Sequence, residues 1–248
     1  MSAAADVVAI KAELAALGTA DRAVAEKAYL KSERIHFGTA VPDVRAVAKR
    51  WLRSRPDLGH DALLEWCRAG RDEPVHECHM VVVELLVLRP KLIGPADLPW
   101  LEQLIRDSRT WALVDPIAGT VVSRLAAAEP ATLEVLDRWV TDPDFWVRRS
   151  AVLGLRAVLR DGREADRFFA YADRLLPESE FFIRKVLGWV ARELGALQPV
   201  EVSAWLRRNL AGMNGVTLRE AVKPLPDGAE IVEAWKRGGH GTRRNKVG

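Results

Sequence analysis

The sequence predicts an all-α fold, built as a solenoid of helical hairpins. Three observations favour it. Apolar residues recur at spacings of three and four along most of the chain, which is the period of an amphipathic helix. No hairpin signal and no convincing period-two strand occurs. Related segments return about every 35 residues, as expected of stacked hairpins whose concave face binds ligands.

Twelve segments carry the helical period. They are separated by breaks rich in Gly, Pro and Asp, such as RPDLGH, TDPDF and LPESE. In chain order the predicted helical segments span 6–18, 20–35, 43–55, 60–70, 77–89, 99–108, 117–129, 131–140, 146–160, 165–176, 181–197 and 201–209.

The clearest repeat aligns 144–160 with 180–196 without gaps, at an offset of 36. Both segments begin with an acid, two aromatic residues, a branched aliphatic residue and a basic pair. Stepping back from Trp146 leads first to Trp111 and then to Glu77. The tetratricopeptide pattern is absent, and the period is slightly short of the roughly 40–47 residues of HEAT repeats. We therefore describe the repeats as HEAT-like.

The chain has 248 residues, which we divide into one helical-repeat domain, 1–235, and a basic, disordered tail, 236–248. Five of the 37 basic residues lie in that tail, which contains no acid. The domain therefore holds 32 basic and 34 acidic side chains. If it binds a polyanion, it must do so through a local patch.

Several function classes lack their sequence signals. Cys67 and Cys78 are too few for a disulfide framework, no apolar run is long enough to cross a membrane, and the N-terminal segment lacks the features of a signal peptide, so we expect a cytoplasmic protein. No glycine-rich phosphate loop occurs, so we expect no nucleotide cofactor. His76 and His79 in HECH have no second ligand pair at a zinc-like spacing, so we expect no metal.

The stretch RTWALVDPIAG places Trp111 and Asp115 one helical turn apart, so that the indole and the carboxylate would share a face. Pro116 follows directly. Asp is a favoured N-cap and Pro a favoured first helical residue, so the pair could simply start a helix. The carboxylate could instead serve chemistry beside the indole. The residues alone leave both interpretations open.

Tryptophan and basic residues recur in the later repeats. Most tryptophans follow the helical period and are expected in the core or partly buried, among them Trp51, Trp66, Trp100, Trp139, Trp205 and Trp235. Trp189 differs, because Arg192 follows it at i+3. The basic pairs Arg148-Arg149 and Arg184-Lys185 occupy the same repeat position, where one member could face the groove.

Such a surface suits a cationic lesion on a polyanion. Arginines would hold phosphates, and indole faces would attract a positively charged base or sugar. A carboxylate would stabilise developing positive charge or orient a water molecule.

The segments W-x-x-x-D at 111–115, WVRRSAV at 146–152 and EFFIRKVLGWVARE at 180–193 resemble the DNA alkylation repair family, specifically the bacterial alkylpurine DNA glycosylases built of HEAT-like repeats (the AlkD group). The segment 28–45, with G-x-x-x-P-x-x-R, is similar to the N-terminal part of that family. The resemblance spans residues 25–225.

The resemblance implies that Trp111 and Trp189 cradle the damaged nucleotide and that Asp115 is the catalytic carboxylate. It implies that Arg149, rather than Arg148, braces the DNA backbone near the lesion. It also implies DNA-facing positions at Arg192 and Tyr29.

The activity that the resemblance implies is excision of cationic N3- and N7-alkylated purines from duplex DNA, without a deep base-flipping pocket. No lysine matches a lyase nucleophile, so we expect a monofunctional enzyme that needs no cofactor, and a monomer. Pro116, directly after the acid, departs from the family pattern. A proline there could kink the helix or make Asp115 an N-cap.

Two alternatives remain. A solenoid that binds DNA or RNA without catalysis is expected of relatives that lose the acid or a tryptophan, whereas this chain retains all four matched residues. A protein-interaction scaffold would bury Trp111 and Trp189.

Overall fold

A computed structural model describes residues 2–240. These residues form helices and connecting loops, and the nearest approach to a strand among them is an isolated parallel bridge between Ile35 and Val75. The predicted all-α, helical-repeat fold is thereby confirmed. No helix within the described range is long and apolar enough to cross a membrane.

The chain divides into two compact units, the first ending at Leu125 and the second beginning at Ala126. The prediction of one domain over 1–235 is coarser than this division and stays a prediction.

The first unit contains seven α-helices, followed by an eighth in which the boundary between the units lies. Two 3-10 turns, Pro90–Leu92 and Pro95–Asp97, precede α6, and a π-helical segment, Ile117–Val122, follows α7. The helices are α1 Ala3–Leu17, α2 Ala20–Leu30, α3 Val41–Arg53, α4 His60–Arg71, α5 His76–Leu88, α6 Leu98–Ser108, α7 Trp111–Pro116 and α8 Ser123–Ala128.

The described part of the second unit is also built of helices. A 3-10 turn, Leu210–Gly212, follows α14, and a π-helical turn, Lys236–His240, follows the last helix. The helices are α9 Ala131–Trp139, α10 Phe145–Gly154, α11 Arg156–Arg160, α12 Ala165–Leu175, α13 Phe181–Gly195, α14 Pro199–Arg208, α15 Gly215–Ala221 and α16 Gly228–Trp235.

The predicted repeat appears in the starting positions of six helices. Successive members begin 34 to 36 residues apart. We call these six the repeat helices, and they begin at Val41, His76, Trp111, Phe145, Phe181 and Gly215. The sequence analysis found the period but missed α15 and α16, which are only 7 and 8 residues long and begin at glycine.

The start that the two aligned segments share is a helix cap. The Asp144 carboxylate accepts a hydrogen bond from the Trp146 backbone N–H at 2.8 Å, and the Glu180 carboxylate accepts one from Phe182 N–H at 3.2 Å. One repeat later, the Asn214 side chain accepts from Thr217 N–H at 2.9 Å. The acid that opens both aligned segments therefore satisfies an orphan N–H of the first turn.

Close helix contact in the second unit requires a glycine. A Cβ on Gly188 of α13 would lie 2.9 Å from the Thr217 carbonyl oxygen of α15. At this contact the Thr217 hydroxyl donates to the Arg184 carbonyl at 2.9 Å, so the two backbones are joined directly. A side chain at 188 would force the two repeat helices apart.

A buried carboxylate holds the loop before α3. Glu77 is fully buried in the first turn of α5, and its Oε1 accepts backbone N–H groups of Phe37, Gly38 and Thr39 at 2.9, 2.7 and 3.2 Å. Three converging donors offset the cost of burying the charge. Gly38 has φ +77°, so the turn that presents these donors also favours glycine.

The C-terminal end differs in part from the predicted disordered tail. The indole N–H of Trp235 donates to the Met213 carbonyl at 2.8 Å and anchors α16. The chain then continues through the turn Lys236–His240. Residues 241–248 of the predicted tail lie outside the described residues.

We expect Glu77→Ala to lower the free energy of unfolding by about 3–5 kcal/mol, because three buried N–H groups lose their charged acceptor. Urea unfolding followed by circular dichroism would measure it. Glu84→Ala on the same helix is the matched control: Glu84 forms an ion pair with the exposed Arg45, so its loss should cost less than about 1 kcal/mol. Equal losses in the two variants would contradict this account of the loop.

Candidate functional site

Trp111 and Asp115 lie on one short helix. α7 begins at Trp111, and Asp115 follows one turn later, with both residues half-buried. Leu113 and Val114 on the other side of α7 are fully buried and anchor it in the first unit. The helix thus carries the indole and the carboxylate where neither is needed to fill the core.

The hypothesis that Asp115 and Pro116 start a helix is wrong. α7 begins four residues earlier, with Thr110 at the N-cap position, and Pro116 lies inside it. Proline has no N–H to donate, and the chain continues as the π-helix Ile117–Val122 rather than breaking. The predicted helix 117–129 is therefore the continuation of α7 through a π segment into α8. Asp115 is a mid-helix residue and not a cap.

Trp111 forms a T-shaped ring contact with Tyr29. The two rings are perpendicular, at 89°, with centroids 6.0 Å apart. Tyr29 is largely exposed, at 73%. The rings line a cleft of about 380 Å³, whose walls include Leu30, Val41 and Met80. Tyr29, predicted as a site residue, is thereby brought beside Trp111.

His76 forms part of the wall of this cleft. It is fully buried, and neither ring nitrogen has a hydrogen-bond partner among the described residues. Burial, together with the neighbouring His36 and His79, lowers the pKa of His76 to about 3. The ring is therefore neutral at physiological pH.

The sequence HECH suggested His76 and His79 as possible metal ligands, but the structure places His76 beside other ligand-type side chains. Candidate ligand atoms of Glu26, His36 and His76 lie within 4.8 Å of one another. The two imidazole rings are stacked, with centroids 4.3 Å apart and planes 16° apart. An ion binds an imidazole in the ring plane, so one ion cannot bind both rings in this arrangement. His79 instead contacts the Arg34 guanidinium at 2.8 Å. The expectation of no metal stays a prediction.

In the first basic pair, both arginines bond within the second unit. Arg148 donates to both carboxylate oxygens of Glu178, at 2.7 and 2.8 Å, and to the Asp142 carbonyl at 2.6 Å. Arg149 is buried, at 4% exposed, and donates to the Phe182 carbonyl at 2.5 Å. Its predicted contact with DNA stays a prediction, but Arg149 also joins α10 to α13.

The second basic pair is divided. Arg184 donates to the Glu178 carbonyl at 2.9 Å, whereas Lys185 is exposed. Further along α13, Arg192 forms an ion pair with Glu220. Positions 148 and 184 therefore share a structural task, since both bind the loop residue Glu178, and Lys185 is the member of its pair that faces solvent.

Trp189 is half-buried and held by two residues that the sequence analysis missed. Its indole N–H donates to Glu193 at 2.8 Å, and the Arg156 guanidinium carbon lies 4.7 Å from the ring centroid. Arg156 also binds both oxygens of Glu193, at 2.8 and 2.7 Å. Despite burial, the hydrogen bonds and charge of Arg156 lower the pKa of Glu193. A signal existed, because Glu193 follows Trp189 at i+4 just as Asp115 follows Trp111.

Exposure separates Trp111 and Trp189 from most other tryptophans. Six of the nine are buried, and Trp100 is the third that is half-buried. The buried ones are Trp51, Trp66, Trp139, Trp146, Trp205 and Trp235. Of the six tryptophans expected in the core or partly buried, five are buried and Trp100 is half-buried, so that prediction is confirmed. The scaffold alternative's expectation that Trp111 and Trp189 are buried does not hold.

Comparisons with known proteins agree on one family. The sequence model of a family described as DNA alkylation repair enzyme matches residues 10–225. A solved structure, described as a predicted DNA alkylation repair enzyme from Enterococcus faecalis, is similar with a TM-score of 0.76 and 20% sequence identity. The match covers 84% of this chain and 97% of that one. A comparison with curated proteins gives no significant match.

Because the pKa of His76 is lowered on folding, the unfolded chain binds the extra proton first as the pH falls below about 6.5. Stability from this group is therefore present above that pH and is lost as the pH falls toward about 3. We expect His76→Leu to reduce the slope of unfolding free energy between pH 6.5 and 4.5 by up to about 1.4 kcal/mol per pH unit.

His60→Leu is a control of opposite sign. Hydrogen bonds with Asp61 and Asp97 raise the pKa of His60, so its contribution is present at low pH and is lost as the pH rises. Urea unfolding at a series of pH values would measure both variants. A His76→Leu slope equal to that of the wild type would show that His76 is not held neutral by the fold.

Proposed function

This chain belongs to the DNA alkylation repair enzyme family, and from that premise we propose that it is a monofunctional DNA glycosylase. Its substrates are N3- and N7-alkylated purines in duplex DNA, and it hydrolyses their N-glycosidic bond. It acts as a monomer in the bacterial cytoplasm or nucleoid, and needs no metal or nucleotide cofactor.

The observation that carries the proposal is the arrangement on α7. Asp115 lies one turn from Trp111, and Tyr29 packs perpendicular to that indole. The helix runs through Asp115 into the π segment, so Asp115 is not an N-cap. An acid beside an aromatic face, on a buried anchor, is suited to stabilising a cation.

Hydrolysis of this N-glycosidic bond needs few other catalytic groups. An alkylated N3 or N7 gives the purine a positive charge, so the base departs with the electrons of the C1′–N bond and becomes neutral. The sugar then carries the positive charge, which Asp115 stabilises while the indole face of Trp111 lies against the nucleotide. In the second unit, Trp189 is the residue proposed to attract the positively charged lesion through its indole face. Water adds at C1′ and loses a proton, so base release needs no general acid.

DNA binding in this proposal uses cations of the repeat helices α10 and α13. Lys185 is the clearest candidate, since its side chain is exposed. Arg149 and Arg192 are proposed to contact phosphates while keeping their bonds within the chain, whereas Arg148 and Arg184 contribute mainly by holding the loop at Glu178. Phosphate contacts of this kind make affinity dependent on salt.

We expect Asp115→Asn to abolish release of free alkylpurine from methylated duplex DNA, while DNA affinity stays within about twofold, because the variant removes only the charge. Single-turnover release and fluorescence anisotropy would measure the two quantities. Asp173→Asn is the control, because Asp173 accepts a hydrogen bond from the indole N–H of the buried Trp205 and lies outside the proposed site. Wild-type protein that binds DNA but releases no base would favour the non-catalytic alternative.

We expect Lys185→Ala to weaken DNA binding and to reduce the slope of log affinity against log salt by about 1, the value of one phosphate contact. Arg207→Ala is the control, since Arg207 lies on α14, outside the repeat helices, and is paired with Asp227. An unchanged salt slope for Lys185→Ala would remove Lys185 from the DNA interface.

A further inference from the structure

The environment of Trp189 is more closely built than a surface ion pair requires. Arg156 starts α11, and Trp189 and Glu193 lie one turn apart on α13. Three hydrogen bonds and one cation–π contact close a ring among these three side chains. Each member of the cluster contacts both of the others.

Each contact restrains a different freedom of the indole. The bond from Nε1 to Glu193 Oε1, at 2.8 Å, fixes the edge of the ring and its rotation about χ2. The planar guanidinium of Arg156 covers one face of the ring at 4.7 Å. The bidentate pairing of Arg156 with Glu193 in turn holds the guanidinium in place.

The charges within the cluster balance. A guanidinium alone on one face of an indole would repel a second cation approaching the other face. Glu193 supplies the opposite charge, so that the Arg156–Glu193 pair behind the indole carries no net charge. A positively charged ligand on the opposite face of Trp189 would therefore not be repelled by this pair.

Ion pairing alone does not account for this arrangement. The side chains of Arg156 and Glu193 are 20% and 30% exposed, so solvent screens part of their attraction. What distinguishes the pair is its shared partner. Arg148 and Glu178 form an equally good bidentate pair, but no indole among the described residues donates a hydrogen bond to Glu178.

We propose that Arg156 and Glu193 are positioning residues for Trp189, which hold its indole in one orientation with one face covered and the opposite face left for the cationic nucleotide. The role of that nucleotide rests on the proposed function. The restraint on the indole does not, and it can be tested separately.

The first experiment follows the indole directly. Protein labelled with fluorotryptophan would be studied by fluorine NMR, with the Trp189 signal assigned from Trp189→Phe. We expect Arg156→Gln and Glu193→Gln each to shift the Trp189 signal by more than its linewidth. Arg167→Gln is the matched control, because Arg167 forms ion pairs with Asp137 and Glu164 at similar exposure. A Trp189 signal unmoved by both variants would overturn the proposal.

The second experiment measures single-turnover release of 7-methylguanine from duplex DNA. We expect Arg156→Gln to lower the rate by roughly ten- to a hundredfold, since a misplacement of about 1 Å can cost about a hundredfold in rate. Affinity for undamaged duplex and the unfolding midpoint should stay near those of Arg167→Gln. Arg156→Lys should not restore the rate, because an ammonium lacks the planar fork that stacks and pairs at once. Full rescue by lysine, or no loss of rate, would overturn the catalytic part of the proposal.

The two experiments separate the two ways of failing. Wild-type protein that releases no base contradicts the proposed glycosylase activity, and the NMR result still decides whether the cluster holds Trp189. Active wild-type protein with an unmoved Trp189 signal contradicts the positioning role alone.

Discussion

Burial of apolar side chains between successive hairpins is the constraint on which this fold depends. A hairpin of two short helices cannot cover its own apolar stripe, so each repeat helix must pack against its neighbours. The buried residues Leu113 and Val114 in α7, and Val186 and Leu187 in α13, are the local form of that requirement. Because every hairpin must fit the next, the repeat helices start at nearly constant intervals, and their caps and close contacts recur with them.

That constraint also decides where chemistry can lie. Residues that fill the interior are not available to a ligand, which is why six of the nine tryptophans are buried. Trp111 and Trp189 lie on repeat helices but outside the stripe that packs. A polar group can be buried only when it is hydrogen-bonded. Glu77 of the first unit meets this condition, because three backbone N–H groups converge on it. A fixed backbone thus supports a few side chains that packing does not use.

The sequence predicted the features that depend on the helical period. It failed on those that depend on a contact with a residue elsewhere in the fold. The helical class and the interval near 35 follow from spacing alone, and both were confirmed. Spacing also predicted correctly which six tryptophans are buried or partly buried, Trp100 being the half-buried one. Pro116 misled because proline is a helix starter by local preference, whereas the packing of Leu113 and Val114 carries the helix through it. The basic pairs were ambiguous for a related reason. Arginine serves equally well for phosphates and for loop carbonyls, and only the fold brings Glu178 to Arg148 and Arg184.

The same ambiguity applies to the two acids that follow a tryptophan at i+4. Glu193 has both oxygens bound, Oε1 by Trp189 and Arg156 and Oε2 by Arg156. A carboxylate held in this way can orient an indole, but its charge is already balanced and it has little left for a sugar cation. Asp115 has the same spacing from its indole but a shorter side chain, on a helix interrupted by proline and a π segment. Equal spacing therefore predicts only that an acid and an indole share a face. The role of the acid is decided by the side chains that bind it in the fold. Arg156 binds both oxygens of Glu193, so Glu193 positions the indole of Trp189 rather than acting on a substrate.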